Sequence, residues 1–302
     1  MKFRIRDLGL KLFLFSICHL PFYFCHAQQH SVSEELRFAH HLIDNNQYRD
    51  AICILKKQEF GMANSTANDS INYFIGWSYY NLKILDSSSA YFTRVKGETL
   101  YNKSAFYSIF EQAYLKKTDE AKNELAAIST EKDSSLPKLR NLQYAGIALL
   151  ERDYKRYEEC SKNFSYDYFP LSAEEKNFSG YYSRLKKTKK KSPLLAGMMS
   201  AIIPGSGKFY AGYKGQGLAA LATVGVLGLS AAESYFRPFG PVNKKGYKSP
   251  EFITFGSLFT IFYVGNIWGS ALSVKLAREH QLREIDDEIL FDMHIPLRRI
   301  FN

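Results

Sequence analysis

The chain has 302 residues, 46% of them hydrophobic, with 40 Lys and Arg against 30 Asp and Glu for a formal net charge of +10 at pH 7. That length has room for one or two domains with real cores, and the hydrophobic share is ordinary for a globular protein, so the uneven placement of the apolar residues is what informs. Much of the positive excess sits in the N-terminal segment and in the run Arg184 to Pro193, next to apolar stretches; this placement argues against nucleic acid as a partner.

The chain opens "MKFRIRDLGLKLFLFSICHLPFYFCHAQQHS". Lys2, Arg4, Arg6 and Lys11 form a basic region, Leu12 to Phe24 an apolar one, and Cys25-His26-Ala27 a small-residue cleavage pattern before Gln28. Residues 1–27 therefore read as a secretory signal peptide. The alternative is an uncleaved anchor, but the apolar run is short of the roughly 20 residues a spanning helix needs; either way the following residues are expected to leave the cytoplasm. Cys18 and Cys25 belong to this segment, which leaves Cys53 and Cys160 in no C-x-x-C spacing. An oxidising compartment would permit a disulfide between them, though nothing in the sequence brings them together.

Residues 28–185 show helical periodicity with few prolines. Phe38, Ala39, Leu42 and Ile43 form one stripe and, after "DNNQ", Tyr48, Ala51, Ile52 and Leu55 form another. Two amphipathic helices joined this tightly make a hairpin whose apolar face a neighbour must cover. The unit returns with Gly76, Tyr79, Tyr80, Leu82, Ser88 and Phe92, again with Ala121 and Leu125, and more faintly with Ala145, Leu149, Tyr154 and Tyr157. Aligning Ala51, Ser88, Ala121 and Tyr157 gives a period of about 33 to 37 residues. On these residues the region resembles the tetratricopeptide-repeat (TPR) family, over about half the chain. Ala39 and Gly76 stand where helix A meets helix B, and Leu55 and Phe92 stand later on helix B; the later units depart from the pattern and mostly lack its closing proline. The resemblance implies a right-handed solenoid whose groove binds a protein or peptide. The many Tyr and Phe residues read as core.

The candidate catalytic and metal-binding residues lack the spacing that such chemistry requires. His40 and His41 are adjacent and so point apart on a helix, H-E-x-x-H and G-x-S-x-G do not occur, and Asp286-Asp287-Glu288 lies among Leu282, Ile285 and Ile289 as a solvated helix face. The expectation is a non-enzyme without cofactor or metal.

Residues 186–193 form a basic linker in which Lys186 to Lys191 stand ready to meet anionic headgroups. Residues 194–277 form an apolar domain with candidate spans at Leu194–Gly212, Leu218–Phe236 and Phe252–Val274. The first holds "SAIIPGSGKFYAGYKGQG". It is not a Walker A loop, because Ile202 stands where the first glycine belongs and Phe209 where Ser or Thr belongs; Tyr210 likewise breaks G-x-G-x-x-G. A helix broken at Pro204 survives in a bilayer only where neighbours or water satisfy the freed backbone groups. With Ala196, Gly197, Pro204, Gly205, Gly207, Phe209, Tyr210, Gly212 and Gly217 in this order, about 40 residues resemble the TM-two type of two-pass membrane module, departing from it at Pro204 and Lys208. That resemblance implies an anchor or interaction unit, with small residues allowing close helix approach. Residues 278–302 form an amphipathic tail whose spacing shifts near Phe291 from helical to alternating, with Met293, Ile295 and Leu297 on one side, the pattern of a docking segment.

The expected protein is all-α: a TPR-like helical-hairpin solenoid followed by a transmembrane hairpin or a three-helix membrane domain. It is expected to act as a membrane-anchored scaffold or adaptor of a bacterial envelope, in the inner membrane with its repeats in the periplasm. A transporter or channel component using the broken helix around Pro204 and Lys208 is the alternative. A lysine run beside exported repeats runs against the positive-inside tendency, and two or three passes both remain open.

Overall fold

The computed structural model describes residues 32–59, 65–129, 135–188, 190–236 and 249–301, and among them the chain is all helical, with thirteen helices and no strand. In chain order they are α1 (Val32–Asp44), α2 (Tyr48–Glu59), α3 (Ser65–Asn81), α4 (Leu85–Phe92), α5 (Glu98–Tyr114), α6 (Thr118–Ala127), α7 (Ser135–Glu151), α8 (Tyr154–Ser161), α9 (Phe169–Lys187), α10 (Pro193–Ile202), α11 (Ser206–Ala211), α12 (Lys214–Phe236) and α13 (Pro250–Phe301). The expected signal peptide, residues 1–27, lies outside the described residues. The chain divides into two compact units, Met1–Glu111 and Gln112–Asn302. Their boundary falls inside α5 and inside the segment 28–185 that helical periodicity marks as one domain.

Four of the connections among the first eight helices close with the same turn. Asn46, Lys83, Lys116 and Arg152 all have left-handed backbones, with φ of 60, 62, 61 and 63°, at spacings of 37, 33 and 36 residues. At each turn the left-handed residue donates its N–H to the carbonyl three residues back, and the next residue donates to the carbonyl five back. Asn46 bonds Ile43 at 2.9 Å and Gln47 bonds Leu42 at 2.8 Å; the pairs Lys83 to Tyr80 and Ile84 to Tyr79, Lys116 to Ala113 and Lys117 to Gln112, and Arg152 to Leu149 and Asp153 to Ala148 repeat it. This is a Schellman closure, which satisfies carbonyls that a helix end otherwise leaves unpaired. Lysine and arginine carry a Cβ penalty of about 1–2 kcal/mol in the left-handed region, so the packing on either side of the turn must hold them there. Ala51, Ser88, Ala121 and Tyr157 each stand five residues after the left-handed residue, and all four are buried.

In the first unit, Ala39 of α1, Leu55 of α2, and Ile71 and Ile75 of α3 share one buried cluster; Leu42, Ile43 and Ala51 share another, covered by Tyr48, Ile54, Phe74 and Trp77. The two clusters explain why one hairpin cannot stand alone: its apolar stripe is completed by helix α3 of the next. Gly76 lets α3 and α4 close together, since a Cβ there would lie 2.8 Å from Cδ1 of Phe92. Tyr107 of α5 is fully buried against Trp77, Tyr80 and Phe92. Tyr73 sits beside them, and burial pushes its phenol far above the usual tyrosine range.

In the second unit, α7 and α8 form the last hairpin and α9 packs on α7. Helix α10 starts at a Ser192 cap, whose hydroxyl accepts from Leu195 N–H at 3.3 Å, with Pro193 in the first turn. Helices α12 and α13 pack along each other, and α13 then continues to α7 and α9. It runs unbroken for 52 residues, about 78 Å at 1.5 Å per residue, through the expected boundary between the apolar domain and the tail.

Two helices, α12 and α13, are long and apolar enough to cross a membrane, whereas α10 is a shorter apolar helix. At ten residues α10 extends only about 15 Å, half of a hydrocarbon core. The candidate span Leu194–Gly212 is therefore not a span: the chain turns back on itself at Ile203 to Gly205. Large apolar side chains face outward on α12 and α13, Leu229 at 74% exposure and Trp268 at 76%, which distinguishes these helices from the core of a water-soluble domain.

Candidate functional site

The returning segment α10–α11 is held by polar groups that its sequence alone does not reveal. Gly205, with φ 85°, and Gly212, with φ 108°, bracket α11 in conformations that favour glycine. A Cβ on Gly205 would lie 2.1 Å from the Gly217 carbonyl oxygen, and one on Gly207 would lie 2.0 Å from that of Ala196, so α11 packs backbone to backbone against α10 and the first turn of α12. The backbone groups freed at Pro204 find partners on α13: Asn266 accepts from Gly205 N–H at 3.1 Å and donates to the Ser200 carbonyl at 3.3 Å, and Tyr263 donates its hydroxyl to the Ala201 carbonyl at 2.5 Å. Ser200 accepts from Gly207 N–H at 2.9 Å and donates to Ser270 at 2.7 Å. Each buried donor that would otherwise be stranded costs about 1–3 kcal/mol, so this set is what permits the break.

Phe209 is exposed and its ring covers Gly217, while Tyr210 faces the basic linker. Its hydroxyl accepts from Ser192 N–H at 3.3 Å, its carbonyl accepts from Lys191 at 2.7 Å, and the Lys191 ammonium lies 5.5 Å from its ring centroid. Ala196, Ala211 and Val274 form one buried cluster, covered by Tyr210 and Tyr213. The start of α10, the end of α11 and Val274 of α13 therefore share one end of the α12–α13 pair.

Beside this hairpin lies a cleft of about 590 Å³ between α11, α12 and α13. Lys208, Gln216, Thr223 and Asn266 supply its polar lining; Ala219, Ala220, Val224, Ile261 and Phe262 supply its apolar walls. The stem of Lys208 lies along Gly269, where an added Cβ would come within 3.9 Å of Cε.

The second constellation is the seat of the C-terminal half of α13. Ile285, Ile289, Met293 and Leu297, four residues apart, are all buried where α13 meets α7 and α9. The alternation expected after Phe291 is corrected by this: the segment is helical to Phe301, and Met293 and Leu297 satisfy a period of four as well as a period of two, whereas Ile295 is only half-buried. Gly146 of α7 receives Met293, and Gln143 donates to the Met293 carbonyl at 2.8 Å. Buried Asp292 accepts from Asn177 at 2.9 Å and from Tyr181 at 2.7 Å. Burial first, and then this bond to a carboxylate, hold the Tyr181 phenol far above its usual range. Arg299 grips the buried Glu174 with two nitrogens at 2.9 Å each and also reaches the Pro170 carbonyl at 3.0 Å. Arg152 meets Asp286 at 2.7 Å, and Arg184 pairs with Glu288, which raises the guanidinium pKa further. Asp286 and Glu288 are thus engaged in ion pairs.

Among the residues singled out from sequence, Ala39, Leu42, Ala51, Leu55, Gly76, Phe92, Ala121 and Leu125 are buried, and Tyr48 and Tyr79 are half-buried. Of the lysine run, Lys191 is bound to Tyr210, and Lys186 bonds Glu158 at 3.0 Å beside the Tyr182 ring. Lys187 and Lys190 are exposed, and Lys189 lies outside the described residues. Cys53 is an exposed free thiol and Cys160 a buried one. Sequence reasoning missed Ser200, Tyr263, Asn266 and Ser270, for which an Asn and three hydroxyl residues facing one another in apolar helices were the available signal, and it missed Gln143, Asn177 and Tyr181, which carried none.

No family model, curated protein or solved structure matches this chain.

Proposed function

We propose that the protein is a non-catalytic, membrane-anchored adaptor of a bacterial envelope, in which TPR-like hairpins bind a protein or peptide and a TM-two-like module holds them at the bilayer. The observation that carries this reading is the single helix α13, which includes a candidate membrane span and then docks on α7 and α9 through buried side chains. A helix built this way fixes the last hairpin to the membrane without a flexible linker. Two crossings by α12 and α13 return the chain to the face from which α10 departed, so the last hairpin, α9 and the end of α13 share one side. The sequence between the two helices, residues 237–248, contains Arg237, Lys244, Lys245 and Lys248 and no acidic residue, the composition of a short cytoplasmic loop. This supports periplasmic repeats in an inner membrane, with Lys187 and Lys190 against the outer leaflet.

The test uses a variant without native cysteines and with single cysteines at the exposed positions Ala90 and Lys155, together with one at Lys245. Both repeat positions react with an impermeant thiol reagent once the outer membrane is opened, and position 245 reacts only after the inner membrane is breached. Reaction of all three together would refute the two-crossing topology, and the reverse order would place the repeats in the cytoplasm. For the binding role, a photoreactive residue at Phe38, whose side chain is 51% exposed on the first hairpin, gives a discrete cross-linked species in cells; its absence at every exposed helix position of the first unit would sink the adaptor reading.

The polar lining of the cleft around Lys208 supports a second function, that of a transporter or channel component. Lys208→Leu abolishes flux in vesicles if a polar path passes that residue and leaves it unchanged if not.

A further inference from the structure

The cleft between α11, α12 and α13 is asymmetric in chemistry. Among the described residues Lys208 is the charged one that lines it, and none of the lining residues is acidic. Gln216, in the first turn of α12, adds an amide at the same end, because Lys208 lies one turn before the Gly212 reversal that starts α12. Farther along, Ala219, Ala220 and Val224 of α12 face Ile261, Phe262 and Gly265 of α13, about one to two turns deeper along the helix. The Asn266 amide accepts from Gly205 N–H and gives one of its two N–H groups to the Ser200 carbonyl, so it is held in place where it lines the cleft. The arrangement is an ammonium and an amide above an apolar trough open at its side. In the interior of a bilayer an ammonium without a carboxylate requires a counter-anion or a route to water.

We propose that this cleft holds one anionic phospholipid, its phosphate on Lys208 and Gln216 and an acyl chain along Ala219, Ala220, Val224, Ile261 and Phe262. The charge complementarity selects an anionic headgroup, and the trough selects an amphiphile over a soluble phosphate. The inference rests on the membrane reading given above. It differs from the surface attraction of the lysine run, which any anionic lipid satisfies and which salt screens; a headgroup between packed helices is screened much less. On this reading the lipid fills the space that α10, by turning back halfway, leaves beside the two long helices.

The full-length protein carrying W268F and F262W is reconstituted in phosphatidylcholine vesicles containing a fixed minor fraction of either brominated phosphatidylglycerol or brominated phosphatidylcholine. Quenching of the indole at position 262 reports lipid in the cleft, while Trp77 in the first unit serves as an unquenched background. The expected result is a preference for the anionic lipid of about tenfold, equivalent to about 1.4 kcal/mol. Lys208→Gln brings the ratio to one and Lys208→Arg retains it. Equal quenching by the two lipids in the parent protein, or a preference that survives Lys208→Gln, overturns the proposal. Loss of the preference on adding soluble glycerol phosphate places a free phosphate in the site and overturns the lipid assignment. Quenching by neither lipid, even as the sole lipid present, overturns the membrane reading itself and the proposal with it. Should F262W distort the trough, native mass spectrometry of the unsubstituted protein and of Lys208→Gln gives the same answer from the bound mass retained.

Discussion

Replacing Gly146 with alanine tests whether α13 is seated on α7. A Cβ at that position would lie 2.5 Å from Sδ and 2.6 Å from Cγ of Met293, about 1 Å inside the separation at which such atoms attract. Methionine adapts readily, but Met293 is fully buried and its carbonyl is held by Gln143, so relief requires α13 to shift. Overpacking of this kind costs about 1–3 kcal/mol, against a gain of about 1 kcal/mol from removing glycine from a helix interior. The net expectation is a loss of about 1 kcal/mol. Met293→Ala alone costs about 2–5 kcal/mol through the cavity it leaves. In that background Gly146→Ala no longer meets a side chain, and its effect changes sign, a coupling of about 1–3 kcal/mol. The assay is hydrogen exchange over residues 139–150 and 285–301 of the full-length protein in micelles, which reads local opening free energies. Greater protection from Gly146→Ala in the parent background, or the same sign in both backgrounds, would refute the seating of α13.

Gly207→Ala forces backbone against backbone at the Ala196 carbonyl, 2.0 Å away, and lowers the stability of the α10–α11 hairpin by at least about 1–3 kcal/mol; thermal unfolding in micelles with Gly215→Ala, which meets nothing, as the control checks it. Arg299→Ala leaves Glu174 buried with its partner gone, a loss of about 1–3 kcal/mol. Glu174→Gln in the same chain restores part of it, and exchange rates over α9 give the comparison. Cys53 reacts first with a thiol reagent at neutral pH, since burial pushes the Cys160 thiol up from its usual value. Because the folded pKa of Cys160 is the raised one, its contribution to stability is fully present below the unfolded thiol pKa and is lost as pH rises through the folded value. Denaturant melts of the protein and of Cys160→Ser across that alkaline window, where only the parent declines from this cause, are the check.

The helical hairpins were legible because the signal was local. Small residues at Ala51, Ser88 and Ala121 recur at a fixed offset from each turn, and four turns close in the same way although their left-handed residues are Asn, Lys, Lys and Arg. No composition rule would choose lysine for that backbone, so the turns had to be inferred from the helices on either side. Helix α10 was overestimated because hydropathy counts apolar residues and not crossings: Ile202 and Ala211 belong to two short helices, and Ile203 and Pro204 to the turn between them. The polar partners of that turn lie 61 to 70 residues away on α13, a distance at which periodicity carries no information. The tail near Phe291 was misread for a different reason, since residues spaced by four fit both a strand and a helix until their burial is known.

The length of α13 also sets an order of events in synthesis. Helices α7 and α9 are complete long before Ile285 to Leu297 emerge, so the faces that bury Met293 and Asp292 must wait. At about 5–20 residues per second, the interval between the end of α9 and the end of α13 is roughly 6 to 23 seconds. The two long apolar helices, α12 and α13, must also be made before the last residues can return to α7 and α9. Closure of the second unit therefore waits for the last turns of α13, and a protein truncated within α13 emerges with an open apolar face for quality-control proteases and chaperones to find.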